Sequence, residues 1–411
     1  MFGSAKLLVV AVCAAMAIGA SAQTKTVRIA WADPLSGPMA PIGQMELDGW
    51  RQAIELANNE KWAGDYRFEV IPFDNKLSPT ETIGILNNAI SQGIQYFAQG
   101  NSSAAAAAVI GAVEKHNARN PGKEMIYLNY MAADPDLTNK HCSYWQFRFE
   151  AHSGMKMKAL VSEMAKDNKI KKVFLIHQNY AHGQTSSAAA KEFLAQMRPD
   201  IQIVGDELHP MATVKDFAPY VAKIKSSSAD AVISANWGSD LSLLAKAMSD
   251  FGLTTPLYNY FSQNPGAPTA MGSDALQRAK TVVMFNPNGA TASGEALAVD
   301  FKKRFGKDMS LHQMYNTVGM LAKAIKSTGT DDPKKVAAAL EGMTFDGLTG
   351  PVTMRRDDHQ LQQPLFMGTW SKADGKTVKY DQEGTGFGLR TDATIPAAVA
   401  ALPTTCEMKR P

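Results

Sequence analysis

The sequence predicts an α/β protein with two lobes, each a parallel sheet flanked by helices. Short β-rich runs alternate with longer stretches of helical period from Thr26 onward, which is typical of βαβ architecture. A first series of such units ends near residue 147, and a second series of similar rhythm follows at once. No Gly/Ser-rich or Pro-rich linker separates the two series. The chain is also longer than one core ordinarily supports, so we expect two lobes joined by short crossings.

The first series contains four predicted strands, at 27–31, 68–73, 94–98 and 125–129. The helix after the first strand is predicted by apolar residues spaced by three to five positions, which form one face. These residues are Ile42, Met45, Trp50, Ile54 and Ala57. Two further helices are expected at 80–91 and 102–117.

The second series has predicted helices at 152–166, 183–197, 216–225 and 239–250 and strands at 173–177, 201–204, 230–235 and 257–260. A strand at 281–285 and helices at 292–305 and 311–327 come next. Segments 365–370 and 376–380 flank Ala373-Asp374-Gly375, a turn sequence that predicts a β-hairpin.

Residues 1–22 have the pattern of a secretory signal peptide. Lys6 is the only charge before an apolar run that is too short to cross a bilayer, which takes roughly 20 residues. Ala20-Ser21-Ala22 is a cleavage pattern, so we expect the exported chain to begin at Gln23 and Cys13 to leave with the leader. A buried N-terminal strand or helix is the alternative.

Two cysteines remain after this cleavage, Cys142 and Cys406. An even number of cysteines in an exported chain predicts a disulfide, and only one pairing exists. Two free buried thiols are the alternative.

Composition and charge argue against several functions. The net charge is +3, or +2 without Lys6, with no run of like charges, which disfavours nucleic acid and membrane surfaces. No segment after the leader is long and apolar enough to insert in a membrane. Nucleotide fingerprints, the G-x-S-x-G elbow and the H-E-x-x-H helix are absent, so we expect no cofactor and no catalysis, with a doubly wound hydrolase or dehydrogenase as the remote alternative. His177 and His182 have a spacing that favours a local structural role over metal binding.

Two polar loops are candidates for a binding site. Ser36-Gly37 precedes the first helix, and Gly100-Asn101-Ser102-Ser103 precedes a helix that opens with an alanine run. Both loops follow predicted strands, where open α/β sheets bind ligands. Helix N-termini present unpaired N–H groups that suit a carboxylate. The alternative is that Ser36 and Ser102 only cap their helices.

The order of seven segments resembles the periplasmic leucine/isoleucine/valine-binding family across nearly the whole chain. The segments are Ala32-Asp33-Pro34-Leu35-Ser36-Gly37-Pro38, Gly100-Asn101-Ser102-Ser103, Ala132-Ala133-Asp134-Pro135-Asp136-Leu137-Thr138, Phe147-Arg148, Tyr180-Ala181-His182-Gly183-Gln184, Asp216-Phe217 and Ala229-Asp230-Ala231-Val232. The resemblance implies a type I periplasmic binding protein with three hinge crossings, near residues 148, 281 and 349. Lobe 1 would comprise 23–147 and 282–348, lobe 2 148–281 and 349–390, and a tail 391–411.

The same resemblance implies a periplasmic, monomeric protein that captures a small-molecule solute and delivers it to the membrane permease of an ABC transporter. A sensory protein on the same fold is the alternative. The expected ligand-binding residues are Ser36, Gly37, Asn101, Ser102, Ser103, Tyr130, Ala132, Ala133, His182, Trp237, Tyr260 and Phe261.

The sequence departs from the family's pattern in ways that affect the ligand. Ala133 replaces a threonine, His182 replaces a tyrosine, and no carboxylate stands near Tyr260-Phe261 to pair with an α-ammonium. Leucine, isoleucine and valine should therefore bind poorly, because a buried ammonium without a partner is costly. An aromatic or other organic acid without an α-ammonium, or an amide, would fit. The residues considered as aromatic walls are Trp31, Tyr130, Trp237, Tyr260 and Phe261. Asp134 and Asp240 are the candidates for a relocated acid.

Overall fold

Two large sheets and one small sheet form the framework of the protein, in a computed structural model that describes residue 1, residues 25–310 and residues 312–411. The first sheet is parallel, with the strand order β2-β1-β3-β4-β5. Its elements are β1 (Lys25–Asp33), α1 (Ala40–Asn59), β2 (Tyr66–Asp74), α2 (Pro79–Ser91), β3 (Tyr96–Gln99), α3 (Ser103–Arg119), β4 (Ile126–Asn129) and β5 (Gln146–Arg148). Apart from residue 1, the expected leader lies outside the described residues.

The second sheet follows the order β15-β14-β10-β9-β8-β6-β7, parallel from β7 to β10 and antiparallel at β14 and β15. Its elements are α4 (Ser153–Met164), β6 (Lys172–Gln178), α5 (Ala181–Met197), β7 (Gln202–His209), α6 (Ala218–Ser227), β8 (Ala231–Ser234), α7 (Ser239–Asp250), β9 (Leu257–Asn259), α8 (Ala267–Met271) and β10 (Ala279–Val283). The remaining elements are α9 (Ala292–Phe305), α10 (Gln313–Thr328), α11 (Pro333–Leu340), β11 (Thr344–Gly347), β12 (Gly350–Met354), β13 (Leu361–Gln362), β14 (Leu365–Lys372), β15 (Phe387–Ile395) and α12 (Ala397–Ala400).

Each large sheet has its own hydrophobic core, which gives the two predicted lobes. Trp31, Trp50 and Phe97 are fully buried in the first core, and Leu175 and Ile233 in the second. The predicted apolar face of α1 is buried as expected. Burial of this kind is the main favourable term in folding, about 1.5–3 kcal/mol for each large apolar side chain.

The chain passes between the two cores three times. At the first passage, Phe149 belongs to the first core and Ala151 to the second. At the second passage the chain returns, with Met284 in the second core and Phe285 in the first. The third passage lies between β13 and β14, later than the crossing expected near 349. The reason is that β12 pairs with β11 and β13 pairs with β12, which keeps this stretch with the first core. The boundary at 349 is therefore wrong, and so is a tail starting at 391, because β15 continues to Ile395.

The predicted hairpin at 365–380 is also wrong. Strand β14 pairs with β15, and 376–380 forms no strand. The carboxylate of Asp374 accepts the backbone N–H groups of Lys376 and Val378 at 2.8 and 2.9 Å and the Thr377 hydroxyl at 2.7 Å. These bonds close a local turn and use backbone donors that a strand would need.

The C-terminal segment runs from the second lobe to the first. Helix α12 packs on α4, and Lys158 donates to the Ala401 carbonyl at 3.0 Å. The predicted disulfide then joins Cys406 to Cys142 of the first lobe, with 5.7 Å between their Cα atoms. Among the described helices, none has the length and apolar character needed to cross a bilayer.

Candidate ligand-binding cleft

A cavity of about 30 Å³ lies between the lobes at the carboxyl ends of β3, β4, β6, β8 and β9. The carboxyl edge of parallel strands is where open α/β sheets hold ligands. The first lobe contributes Ile42, Gly100, Asn101, Ser102, Ser103, Met131, Ala132 and Ala133, and the second contributes Tyr180, His182, Trp237, Phe261 and Asn264. The lining contains no Asp, Glu, Lys or Arg. His182 and Tyr180 are its only titratable side chains.

The serines on the first-lobe wall can both donate a hydrogen bond into the cleft. The Ser102 hydroxyl accepts the Ala105 N–H at 3.3 Å as the N-cap of α3, and the Ser103 hydroxyl accepts the Asp134 N–H at 3.3 Å. Each hydroxyl keeps its own proton, because a serine can accept and donate at once. Together with the N-terminus of a 17-residue helix, these two donors suit a carboxylate.

Ser102 has a strained backbone, with φ at +79°. A non-glycine residue in this region costs on the order of 1–3 kcal/mol and persists only where its surroundings hold it. Here Asp33 accepts the backbone N–H groups of Gly100 and Asn101 at 2.8 and 2.7 Å, and the Gln99 amide donates to the Asn101 carbonyl. The loop shape is therefore imposed by buried side chains behind it.

A buried pair of carboxyl groups backs this loop. The Tyr130 hydroxyl accepts from Trp31 Nε1 at 2.9 Å and lies in hydrogen-bond contact with both Asp33 and Glu46. The Tyr130 hydroxyl has a single proton, which it can donate to only one of the two carboxylates. In the other contact the carboxyl group must carry a proton and donate it to the Tyr130 oxygen. Burial raises the pKa of Asp33 to about 7, and burial and the Asp33 charge raise the pKa of Glu46 well above its usual value. Glu46 also accepts from Asn101 Nδ2 at 2.6 Å, which connects its protonation to the cleft wall.

The second-lobe wall is aromatic. Trp237 Nε1 donates to the Tyr180 hydroxyl at 2.8 Å, and the rings of His182 and Phe261 meet edge to face with centroids 6.0 Å apart. His182 Nε2 lies 3.2 Å from the Ala235 carbonyl, so Nε2 carries the proton. Its Nδ1 is buried and has no hydrogen-bond partner among the described residues, and burial lowers the pKa of His182 to about 4. His182 therefore presents a neutral acceptor at neutral pH.

Close approach of α5 to β6 sets the position of His182. A Cβ atom on Gly183 would lie 1.8 Å from the Gln178 carbonyl oxygen, so only glycine fits there. His177 Nδ1 accepts the Ala235 N–H at 3.0 Å, so the two histidines brace the end of β8. Within the described residues no group of His, Cys, Asp and Glu could hold a metal ion.

The cleft brings together most of the expected site residues. Those that line it are Asn101, Ser102, Ser103, Ala132, Ala133, His182, Trp237 and Phe261. Ser36 and Gly37 do not, because they are exposed in a loop that Asp74 holds by accepting the Leu35 N–H at 2.9 Å. Tyr130 and Tyr260 are buried outside the lining, and Tyr130 acts from behind Gly100.

The two candidates for a relocated acid also lie outside the lining. Asp240 accepts Gln178 Nε2 and the Ala212 N–H, both at 2.8 Å. Asp134 caps a short 3₁₀ helix by accepting the Asp136 N–H at 3.1 Å. Neither carboxylate is positioned by this structure as a ligand partner.

Four lining residues were not identified from the sequence: Ile42, Met131, Tyr180 and Asn264. The signal for Tyr180 was its place just after β6, in the same segment as His182. Ile42 was assigned only to the buried face of α1, and it in fact packs with the second-lobe core.

Comparison with known proteins places this architecture in a family. A profile described as periplasmic binding protein matches residues 26–376. The chain is 30% identical to Leu/Ile/Val-binding protein homolog 4 of Brucella melitensis, and the match covers 97% of each chain. A Brucella ovis leucine-, isoleucine-, valine-, threonine- and alanine-binding protein, solved in a closed conformation, has a TM-score of 0.83 at 28% identity over 94% of this chain and 100% of that one. An R. palustris solute-binding protein in complex with 4-hydroxybenzoate has a TM-score of 0.78 at 21% identity, covering 90% and 97%.

Proposed function

The chain belongs to the periplasmic binding protein family, and we propose that its interlobe cleft captures a small aromatic carboxylate that lacks a free α-ammonium. Its general role is that of the solute-binding component of an ABC importer of the branched-chain amino-acid type, which acts in the periplasm with a membrane permease as partner.

The carboxylate would bind at the first-lobe wall. The hydroxyl protons of Ser102 and Ser103 and the N-terminus of α3 offer donors there, on a loop whose shape is fixed in advance by Asp33. Preorganised donors of this kind cost no rearrangement when the ligand arrives. Hydrogen bonds to a charged group contribute roughly 1.5–3 kcal/mol each.

The observation that carries the proposal is the absence of Asp and Glu among the cleft-lining residues. The ammonium of an amino acid would be enclosed without a counter-charge, and His182 offers only a neutral acceptor. The body of the ligand would instead meet the rings of Tyr180, Trp237 and Phe261, which suit a flat apolar group. The names of relatives point both ways, to branched-chain amino acids and to aromatic acids.

Capture would proceed by closure of the lobes around the solute, since ligand contacts to both walls favour the closed form. We propose that the solute is released unchanged to the permease. We also propose that residues 1–22 direct export and are removed, and that the exported protein is a monomer.

Calorimetric titration tests the ligand class. Benzoate and 4-hydroxybenzoate should bind, and leucine, isoleucine and valine should bind at least about a hundredfold more weakly, as the loss of two charged hydrogen bonds implies. Tight leucine binding that is lost in Asp134→Asn or Asp240→Asn would show that an acid reaches the cleft on closure, and would refute the proposal. Recovery of chemically altered benzoate after incubation would contradict simple capture.

A further inference from the structure

A second cavity, of about 20 Å³, adjoins the cleft at Phe261 and Asn264. Phe261 and Asn264 line both cavities, so these two residues form the partition between them. The other residues of this inner chamber are Lys156, Tyr260, Gln263, Val283, Met284 and Ser310. A buried water needs roughly 10–15 Å³, so the chamber has room for one small polar group.

Lys156 supplies a buried positive charge to the inner chamber. Its ammonium pairs with Glu150, and the side chains of both are almost wholly buried. The second oxygen of Glu150 accepts from Gln313 of the first lobe, which fixes the carboxylate. Lys156 Nζ lies 4.4 Å from the centre of the Phe261 ring and 5.9 Å from that of Tyr260. Glu150 is the only hydrogen-bond acceptor for this ammonium among the described residues, so two of its three N–H groups remain for an occupant.

Two further polar groups in the chamber wall have no partner among the residues described. They are the hydroxyl of Tyr260, a residue 3% exposed, and Nε2 of Gln263, a residue 6% exposed. Buried donors without acceptors cost on the order of 1–3 kcal/mol each, so native proteins rarely leave them empty. The wall is thus rich in donors, and the group that satisfies it is an acceptor.

We propose that the inner chamber is a second polar subsite, which takes an acceptor group at the end of the solute opposite its carboxylate. The solute then carries a carboxylate at Ser102 and Ser103, an aromatic body beside Phe261, and a hydroxyl, carbonyl or second carboxylate that meets Lys156 and Tyr260. This inference rests on the proposed function, since it assumes that the first carboxylate binds at the serine loop. The expected ligands are therefore bifunctional aromatic acids.

Matched ligand pairs test the subsite. The two pairs are benzoate with 4-hydroxybenzoate and cinnamate with 4-hydroxycinnamate, and the members of each pair differ only by the distal hydroxyl. The pairs differ in length, so that at least one hydroxyl can reach the inner chamber when the carboxylate is at the serine loop. Calorimetry with the wild-type protein should show the hydroxylated member binding about tenfold more tightly in at least one pair. In Tyr260→Phe this preference should shrink to about threefold or less, with binding of the parent acid unchanged. The double variant Lys156→Met with Glu150→Gln removes both charges together and should abolish the preference.

Tyr258→Phe is the matched control, because it also removes a tyrosine hydroxyl, from a residue two positions before Tyr260 that lines neither cavity. It should keep the full preference. If benzoate and cinnamate bind but a distal hydroxyl brings no gain in either pair, the subsite is refuted while the proposed function stands. An undiminished preference in Tyr260→Phe and in the double variant would also refute it. If none of the four acids binds, the proposed ligand class fails and the subsite fails with it.

Discussion

Asp33 Oδ1 accepts the backbone N–H of Asn101 at 2.7 Å, across the neighbouring strands β1 and β3. The other carboxylate oxygen accepts the Gly100 N–H at 2.8 Å. One buried side chain therefore fixes two consecutive peptide units of the loop that carries Ser102 and Ser103. The geometry of the proposed carboxylate site is set from behind, by a residue that does not line the cleft.

Asp33→Asn should weaken binding of benzoate and lower the free energy of unfolding. Asparagine has a single acceptor oxygen, so one of the two backbone N–H groups loses its partner, at a cost of about 1–3 kcal/mol. Calorimetry and urea unfolding measure the two effects. Asp74→Asn is the control, because Asp74 holds the Ser36 loop in a similar way but outside the cleft. It should leave benzoate affinity unchanged, and wild-type affinity in Asp33→Asn would contradict the role given to Asp33.

The free energy of unfolding of Glu46→Gln should increase relative to that of the wild type as pH rises. The pKa of Glu46 is raised by burial and by the Asp33 charge, so the folded protein favours neutral Glu46, and this contribution is lost as pH rises above the usual value of 4.5. Glutamine stays neutral at every pH. The difference in unfolding free energy, variant minus wild type, should therefore rise between pH 4.5 and 8.

Buried histidines such as His177 have lowered pKa values, so their contribution to stability is lost as pH falls. They occur in both proteins and cancel in this difference. Any loss of hydrogen bonding in Glu46→Gln shifts the difference at all pH values without changing its slope. A flat difference across this range would show that Glu46 is charged in the folded protein.

Ser102→Ala and Ser102→Gly should both weaken benzoate binding about tenfold, because each removes a hydroxyl donor to the carboxylate. Their stabilities should differ, because glycine tolerates the positive φ of this position and alanine does not. We expect Ser102→Gly to be the more stable of the two by about 1 kcal/mol in urea unfolding. If Ser102→Ala and Ser103→Ala both bind benzoate like the wild type, the loop serves only as a helix cap.

Replacing Cys142 and Cys406 together by serine should lower the free energy of unfolding by about 2–5 kcal/mol, since the bond closes a loop of 264 residues in the unfolded chain. Denaturant unfolding measures this loss. Reduced wild-type protein should match the double variant. Two reactive thiols in unreduced, denatured exported protein would show that the bond does not form there.

Two of the periodic helices were predicted to the residue. Helices α7 and α9 have the bounds expected from the sequence. The start of α9 is marked by Thr291, whose hydroxyl accepts the Gly294 N–H at 3.2 Å, and its end by Gly306 with φ at +67°. Both end signals of α9 are local, so a single sequence contains them.

The site was harder to predict, because it depends on how irregular loops aim their side chains. The serine loop was found from its place after a strand, whereas Tyr130 and Tyr260, also after strands, turn into the protein interior. For Lys156 the sequence predicted only a place within the helix at 152–166. Glu150 is only six residues away, but the pair is buried against Phe261 and Gln313, which lie far along the chain.

The disulfide also makes the C-terminal segment a fourth connection between the lobes. Ala400 is buried in the second-lobe core, and six residues later Cys406 is bonded to the first lobe. Six residues span at most about 20 Å when fully extended. Leu402 packs against Gly154 at the start of α4, which lies just after the first passage between the cores. The segment therefore acts as a short tether beside the hinge, and its length limits how far the two lobes can separate at that point.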